Sequence, residues 1–450
     1  MGIRLPNASG LDTGKLVEQL VAAEKVPVEK AKQRREKVVE EKAEVEKLQG
    51  FLSELDTATN KLKTKGDFYR MKVDSSHPDI MEGVVEGITQ VGQYEFEVRG
   101  LAKNEKELAV GFPDKDQTPV GFGYMLIERD DKEPMEVVIE PDTTLMGVAD
   151  QINSLEMGVR AMVVNTKYNP DSFRLLVVSE DSGKEAKITI DTDTTFLEFE
   201  EQVTGRNLDV LFEDVPVTDD DNVLDELVEG VKFHLKRSEP GTRIQMNVSY
   251  DIDATIEGVK AFVEKYNQIV AFAAEQSKDP RAGDPGKLSG DSSIKTIMRG
   301  LQSSLFPPAF QEGKYNTLAE VGITTNPKTG ELQLDEAKVR TALTDDYDGV
   351  ASLFVRTKFG DGVGERISAK LKAFRDSESG VVRARLRGLD RVIENQDKDI
   401  NRRERQLEEK EASIKRRFSA LESQMSGLQA QGNFLAARMG GQGQSQGGGG

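Results

Sequence analysis

The sequence predicts an α+β multidomain protein, with N- and C-terminal helices forming a coiled-coil or helical-bundle stem and β-rich domains inserted between them. Three observations predict it. Apolar residues recur at heptad spacing near both ends of the chain. The middle switches to alternation with a period of two. A length of 450 residues exceeds what one compact core holds, which sets two to four domains.

The elements follow in order. Asp12 or Thr13 can cap a first helix by accepting from its free N–H groups, after which Leu16, Leu20 and Ala23 share one face. Pro27 predicts a break near Val26 and a restart after it, since proline is tolerated in a first turn. From there to about Lys65 the chain is dense in Glu and Lys. Ala31, Val38, Val45, Leu48, Leu52, Leu55 and Leu62 form a seam that firms from Val45 onward.

Strands are predicted at 94–98, 136–139, 159–165, 174–178, 187–191, 209–212, 231–235 and 243–250, with 174–178 reading as buried. A short helix fits 144–155, capped by Thr143 or Thr144, with Asp142 adding favourable charge at that end. Helix resumes over 254–277, placing Ile256, Val259, Phe262, Val263, Tyr266 and Ile269 on the buried side. Gly- and Pro-rich turns at 279–290 mark a boundary.

Leu386, Ile393, Ile400, Leu407, Ile414, Leu421, Leu428 and Leu435 then fall every seven residues without a miss. As one helix this run spans roughly 75 Å at 1.5 Å per residue. The second seam column is polar at Gln396, Arg403 and Lys410 and turns apolar at Phe418 and Met425. That pattern predicts one partner helix over the first half and more neighbours later. The end from Met439 onward is Gly, Gln and Ser, a disordered composition.

A net charge of -18 argues against a nucleic-acid partner, because phosphate binding needs a basic face that releases counterions. It argues equally against adsorption to an anionic membrane. No stretch approaches the ~20 apolar residues of a membrane span, so membrane insertion is not expected. The start of the chain lacks a basic segment followed by an apolar run, so export would use a route without a cleaved signal. The absence of cysteine excludes disulfides and thiolate metal sites.

The search for chemistry returns little, and the chain reads as a non-enzyme with no cofactor. His77 and His234 sit in different segments without neighbouring ligands, so a structural role is favoured. Gly283-Asp284-Pro285-Gly286-Lys287 lacks the glycine spacing of a phosphate loop and carries Leu288 where Ser or Thr is needed. Gly360-Asp361-Gly362-Val363-Gly364 lacks dinucleotide spacing. Asp219-Asp220-Asp221-Asn222 is the best metal candidate, yet Leu224 and Gly230 stand where a calcium loop wants Gly and Glu, which favours a solvated turn.

The order of motifs resembles the flagellar filament cap family (hook-associated protein 2). Ser9-Gly10-Leu11-Asp12-Thr13 with Leu16-Val17 and Leu20-Val21 is similar to that family's opening, and Phe96-Glu97-Val98-Arg99-Gly100-Leu101-Ala102 to its strand ending in a Leu-Ala step. Ile152-Asn153, Gly158-Val159-Arg160-Ala161, Arg174-Leu175 and Ser182-Gly183 resemble the Ile-Asn module of hook-associated proteins. The C-terminal half follows the pattern in order: Asn222-Val223, Gly230-Val231, Leu235, Asp251, Phe262-Val263, Tyr266-Asn267, Gly290-Asp291 and Leu318-Ala319. Gly322-Ile323-Thr324, Thr329-Gly330-Glu331-Leu332 and Leu334-Asp335 continue it, and Leu353-Phe354, Gly362, Phe418, Leu421-Glu422, Met425, Leu428, Gln431 and Phe434-Leu435 close it. Residues 111–141 carry little of the resemblance, and the Gly-rich end departs from it.

The resemblance implies a homo-oligomeric ring at the distal end of the bacterial flagellar filament. There it would promote folding and insertion of exported flagellin, after leaving the cell by the flagellar type III pathway. Implied partners are further copies of the chain, flagellin and the filament tip, hook-associated junction proteins, and an export chaperone before secretion. Implied limits are a flexible segment 1–42 ordered on assembly, a helical stem from 43–72 with 285–432, a β-rich middle domain from 73–110 with 205–284, an inserted outer domain 111–204, and a flexible tail 433–450. The expected assembly residues are Leu11, Leu16 and Leu20 at one end and Leu407, Ile414, Phe418, Leu421, Met425, Leu428 and Leu435 at the other. Rival readings are a hook–filament junction protein, a surface adhesin gripping host glycan through the β-rich domains, and a hydrolase using paired carboxylates. The paired Gly322-Ile323-Thr324 and Thr329-Gly330-Glu331-Leu332 pattern favours the cap over the junction protein.

Overall fold

A computed structural model describes residues 13–129, 132–168, 170–278, 286–306 and 313–440. They fall into two units: a helical one drawn from Met1–Thr64 and Gly258–Gly450, and a β-rich one from Lys65–Glu257. Helix α1 (Thr13–Asn60) runs through Pro27 without the predicted break. Proline removes a hydrogen bond to the carbonyl four residues back and crowds it. Here that carbonyl belongs to Ala23, and both residues lie on the exposed face, where water can satisfy it, while neighbouring Val28 is buried. Packing along the seam therefore outweighs the proline.

The β-rich unit opens with a short helix, α2 (Lys65–Phe68), and strands β1 (Met71–Ser75), β2 (Met81–Val85), β3 (Gly92–Gly100), β4 (Lys106–Ala109), β5 (Gly121–Arg129) and β6 (Lys132–Ile139). Helix α3 (Leu145–Ser154) follows, with Thr144 as its N-cap accepting from Gly147 N–H, as the sequence predicts. Then come β7 (Val159–Asn165), β8 (Phe173–Ser179), β9 (Ile188–Thr195), β10 (Phe199–Val203), β11 (Leu208–Phe212), β12 (Val215–Asp219), β13 (Val223–Val228), β14 (Val231–Leu235) and β15 (Ile244–Tyr250). Every predicted strand overlaps one of these. The run at 174–178, read as buried, buries alternate residues: Leu175 and Val177 point inward while Leu176 and Val178 are half-buried.

Two cores divide this unit. In the inner half, the sheets β1-β15-β3-β11-β12 and β13-β14-β2 share one cluster. Phe96 and Phe233 meet in it with ring centroids 4.8 Å apart. In the outer half, β10-β4-β8-β7 and β6-β5-β9 close with α3 over a second cluster containing Met125, Ile127, Ile152, Leu175 and Val177.

The helical unit resumes within α4 (Ile252–Gln276), whose six predicted core residues from Ile256 to Ile269 are all buried. After α5 (Ser292–Ser304) come a hairpin of β16 (Ile323–Thr325) and β17 (Leu332–Leu334), then α6 (Glu336–Asp345), α7 (Tyr347–Phe354) and α8 (Val363–Arg375). The last element, α9 (Val381–Gly440), is a single helix of 60 residues, about 90 Å long. Helix α8 packs against α1, α5, α7 and α9, and α1 packs along α9.

The observed limits differ from those expected. Helix α1 already occupies residues 13–42, and α9 runs into the expected tail. Residues 65–72 belong to the β-rich unit, and the helical unit resumes at Gly258 rather than at 285. Strand β4 pairs with β8 and β10, so the outer half begins before residue 111. Its Lys-Glu-Leu-Ala sequence is too short and charged to announce a strand. The turns at 279–285 and the segments 1–12 and 441–450 lie outside the described residues.

Candidate functional site

The expected site is the pairing of α1 with α9, and its character changes along its length. At the inner end the seam is dry: Val45, Leu48, Leu52 and Leu55 of α1 are buried, as are Val382, Leu386, Leu389 and Ile400 of α9. Farther out, Leu407, Ile414 and Phe418 are half-buried. At the outer end Leu16 and Leu20 are exposed, as are Leu421, Met425, Leu428 and Leu435, the last two 67% and 58% accessible. Leu11 lies outside the described residues.

Charge sets the register of the outer pairing where apolar contact thins. The helices run antiparallel, and Lys42–Asp390 (2.7 Å), Arg35–Asp397 (2.5 Å), Lys32–Glu404 (2.9 Å), Lys25–Glu411 (3.6 Å) and Glu24–Lys410 (2.6 Å) climb the joint as a ladder. Hydrogen bonds from Lys32, Arg35 and Lys42 to the α9 carboxylates raise the pKa of each cation. Exposed pairs of this kind fix register and contribute little stability.

The same register brings Thr13 level with about Leu421. Met425, Leu428, Phe434 and Leu435 therefore have no described residue of α1 opposite them. Met425, Leu428 and Leu435 share one face with Leu421, an exposed apolar stripe on a charged helix. The predicted broadening of the seam from Phe418 onward is thus not met within the described residues of the chain itself. Phe434 is also exposed, at 66%, but one position from Leu435 turns it about 100° round the helix, off the face shared by Leu421, Met425, Leu428 and Leu435.

Several motif residues prove to be structural clamps. Asn153 takes the N–H of Ala161 at 2.8 Å and donates to its carbonyl at 2.9 Å. Asn222 does the same to Ala102 at 2.8 and 3.1 Å, and Asn267 to Leu332 at 2.8 Å in both directions. Each amide thereby satisfies a backbone donor and acceptor of another segment at once. Asp219 accepts from Asp220 N–H at 2.8 Å, which makes the predicted metal candidate a hydrogen-bonded turn. Gly322, at φ +93°, sits where a Cβ would meet Lys338, which explains the glycine that opens the hairpin.

His77 lies beside Ser76, and His234 is exposed on β14. Lys287 pairs with Glu40 and Glu44. Among the described residues, no helix is long and apolar enough to cross a membrane.

Comparison with known proteins gives a consistent result. The family described as "Flagellar hook-associated protein 2 C-terminus" matches residues 205–430, and "Flagellar hook-associated protein 2 N-terminus" matches residues 9–105. The "A-type flagellar hook-associated protein 2" of Pseudomonas aeruginosa is 27% identical over 423 residues, covering 86% of this chain and 87% of that protein. The "Flagellar hook-associated protein 2" of Escherichia coli (strain K12) is 24% identical over 419 residues, covering 87% and 88%. The fold is similar to the crystal structure of the flagellar cap protein FliD D1-D2-D3 domains from Escherichia coli, with a TM-score of 0.64 at 24% identity over 77% of this chain and 99% of that one.

Proposed function

The chain belongs to the flagellar hook-associated protein 2 family, and on that premise we propose that it is the structural cap of a bacterial flagellar filament. Copies associate into a ring at the distal tip, where exported flagellin folds and is inserted. The observation that carries this reading is the bare apolar end of α9, from Leu421 to Leu435. Leu11, Leu16, Leu20, Leu407, Ile414 and Phe418 complete the contact. Burial of each exposed large apolar side chain against a neighbour contributes up to about 1.5–3 kcal/mol, set against the about 4–15 kcal/mol that association costs in lost freedom.

In this reading residues 1–42 and 433–450, helical where described, meet their final partners only on the assembled tip. Flagellin, the hook–filament junction proteins and an export chaperone are the partners, and the flagellar type III pathway carries the chain out. The fold acts by holding surfaces together and catalyses no reaction.

Light scattering at several concentrations tests the ring, with wild type beside a variant carrying Leu421→Ser, Met425→Ser, Leu428→Ser and Leu435→Ser. The wild type is expected to form concentration-dependent oligomers, and the variant to remain monomeric with an unchanged melting midpoint. Unchanged oligomers in the variant overturn the interface. Removing residues 1–42 is expected to leave the fold intact and abolish tip binding.

A second reading rests on the outer half of the β-rich unit. Phe122, Tyr124, Val138 and Phe196 are exposed there, with Tyr124 and Val138 paired across β5 and β6. Exposed aromatic rings suit stacking against sugars, which supports an adhesin role alongside capping. A glycan-array screen of the wild type against Tyr124→Ala checks it: binding lost in the variant supports that role, and no binding by the wild type removes it.

A further inference from the structure

Three carboxylates converge where the chain passes between the halves of the β-rich unit. Glu107 on β4 stands directly opposite Glu201 on β10 in the strand register. Glu105, just before β4, has one carboxylate oxygen within 4.8 Å of oxygens of both others. Like charges facing each other across a strand pair destabilise it, and burial sharpens the effect. Glu105 is fully buried and Glu107 is 9% exposed.

Glu105 is also held in place. Its N–H donates to Ser179 Oγ at 2.9 Å, its carbonyl accepts from Ser179 N–H at 3.1 Å, and its Oε2 accepts from Gly205 N–H. Its other oxygen, Oε1, is buried with no hydrogen-bond partner among the described residues. A side chain at Gly205 would run into that carboxylate and the carbonyl of Gly183, so the backbone closes over the group. A cation beside that open oxygen would satisfy it and the two neighbouring carboxylates at once.

We propose that Glu105, Glu107 and Glu201 form a calcium site that fastens together the two chain passages joining the halves of the β-rich unit. The donors are all oxygen, which selects a hard cation, and calcium tolerates the irregular geometry and the added waters that three carboxylates leave room for. Next to the site, Lys103 and Arg206 pair their backbones at 2.8 and 3.1 Å, so the cation secures an existing crossing point. Substrate cannot reach the buried Glu105, so hydrolysis by paired carboxylates does not fit the same cluster.

The test uses the full chain, stripped with chelator and titrated with calcium chloride at pH 7.5 by calorimetry. One site with Kd on the order of 10⁻⁴–10⁻³ M is expected, the range of extracellular modules. At 5 mM calcium the unfolding midpoint of the β-rich unit should rise by about 2–9 °C across that range of Kd. Glu107→Gln and Glu201→Gln should each weaken binding at least tenfold and remove the shift, while folding normally in chelator. The proposal is overturned by a wild type indifferent to calcium, by an equal shift in both variants, or by an equal shift with magnesium.

Discussion

The helical pair α1/α9 and the β-rich unit solve the burial problem in opposite ways. In the β-rich unit every strand contributes to one of two closed cores, and fully buried residues such as Phe96, Phe233, Met125 and Leu175 recur along its length. Along α1/α9 burial fades from Leu52 and Leu55 outward, until ion pairs and then bare leucines remain. One region is complete in a single chain. The other leaves an apolar face bare, and in the proposed ring another copy covers it. The expectation that follows is a separation of effects: damage to the β cores unfolds the protein, and damage to the outer helices leaves it folded but unable to assemble.

The largest effect tests that separation directly. Phe233→Ala removes a fully buried ring packed 4.8 Å from Phe96 and is expected to cost about 3–5 kcal/mol in chemical denaturation. Leu435→Ala deletes a similar apolar group from an exposed position and should stay within about 0.5 kcal/mol. Comparable losses from the two would break the contrast and mean that the outer end of α9 is already packed in the monomer.

An intermediate effect sharpens the picture of the β-rich unit, whose weak point is electrostatic. Glu107 titrates near 7 in the folded chain against an ordinary value of 4.5. Where the folded state holds a proton that the unfolded state releases, stability falls as pH rises. The contribution is therefore full below about 4.5, declines up to about 7 and then levels off. Thermal midpoints measured from pH 4.5 to 8 in chelator should show this fall relative to Glu107→Gln, which carries no such group. Parallel profiles for the two proteins would show that Glu107 does not titrate in this range.

What was legible in the sequence follows the same division. The helical periodicities, the strands at 159–165 and 231–235, and the buried face of α4 were readable because one face is buried and the spacing reports it. The continuity of α1 through Pro27 was not, because the cost of a proline depends on which face it occupies. The acidic cluster was invisible for a different reason. Glu105 and Glu107 are separated from Glu201 by almost a hundred residues, and only the pairing of β4 with β10 brings them together. The expected assembly residues of α9 follow a sevenfold spacing, while Leu11, Leu16 and Leu20 come with the family resemblance, and nothing in that spacing shows where along α9 the cover given by α1 ends.

The smallest effect concerns the ladder between α1 and α9. Its charges are exposed and therefore screened, so Asp397→Asn should leave the global unfolding midpoint unmoved. Its consequence is local. Removing the partner of Arg35 loosens the outer joint, and backbone amides of residues 24–42 should exchange with solvent faster by a factor of up to about five at low salt. Raising salt to 1 M should bring wild type to the same rates, since screening does to every rung what the substitution does to one. Rates that differ between the two proteins at high salt would mean that Asp397 holds the joint by packing as well as by charge. A joint that salt loosens suits a chain whose outer helices, in the proposed assembly, exchange one partner for another.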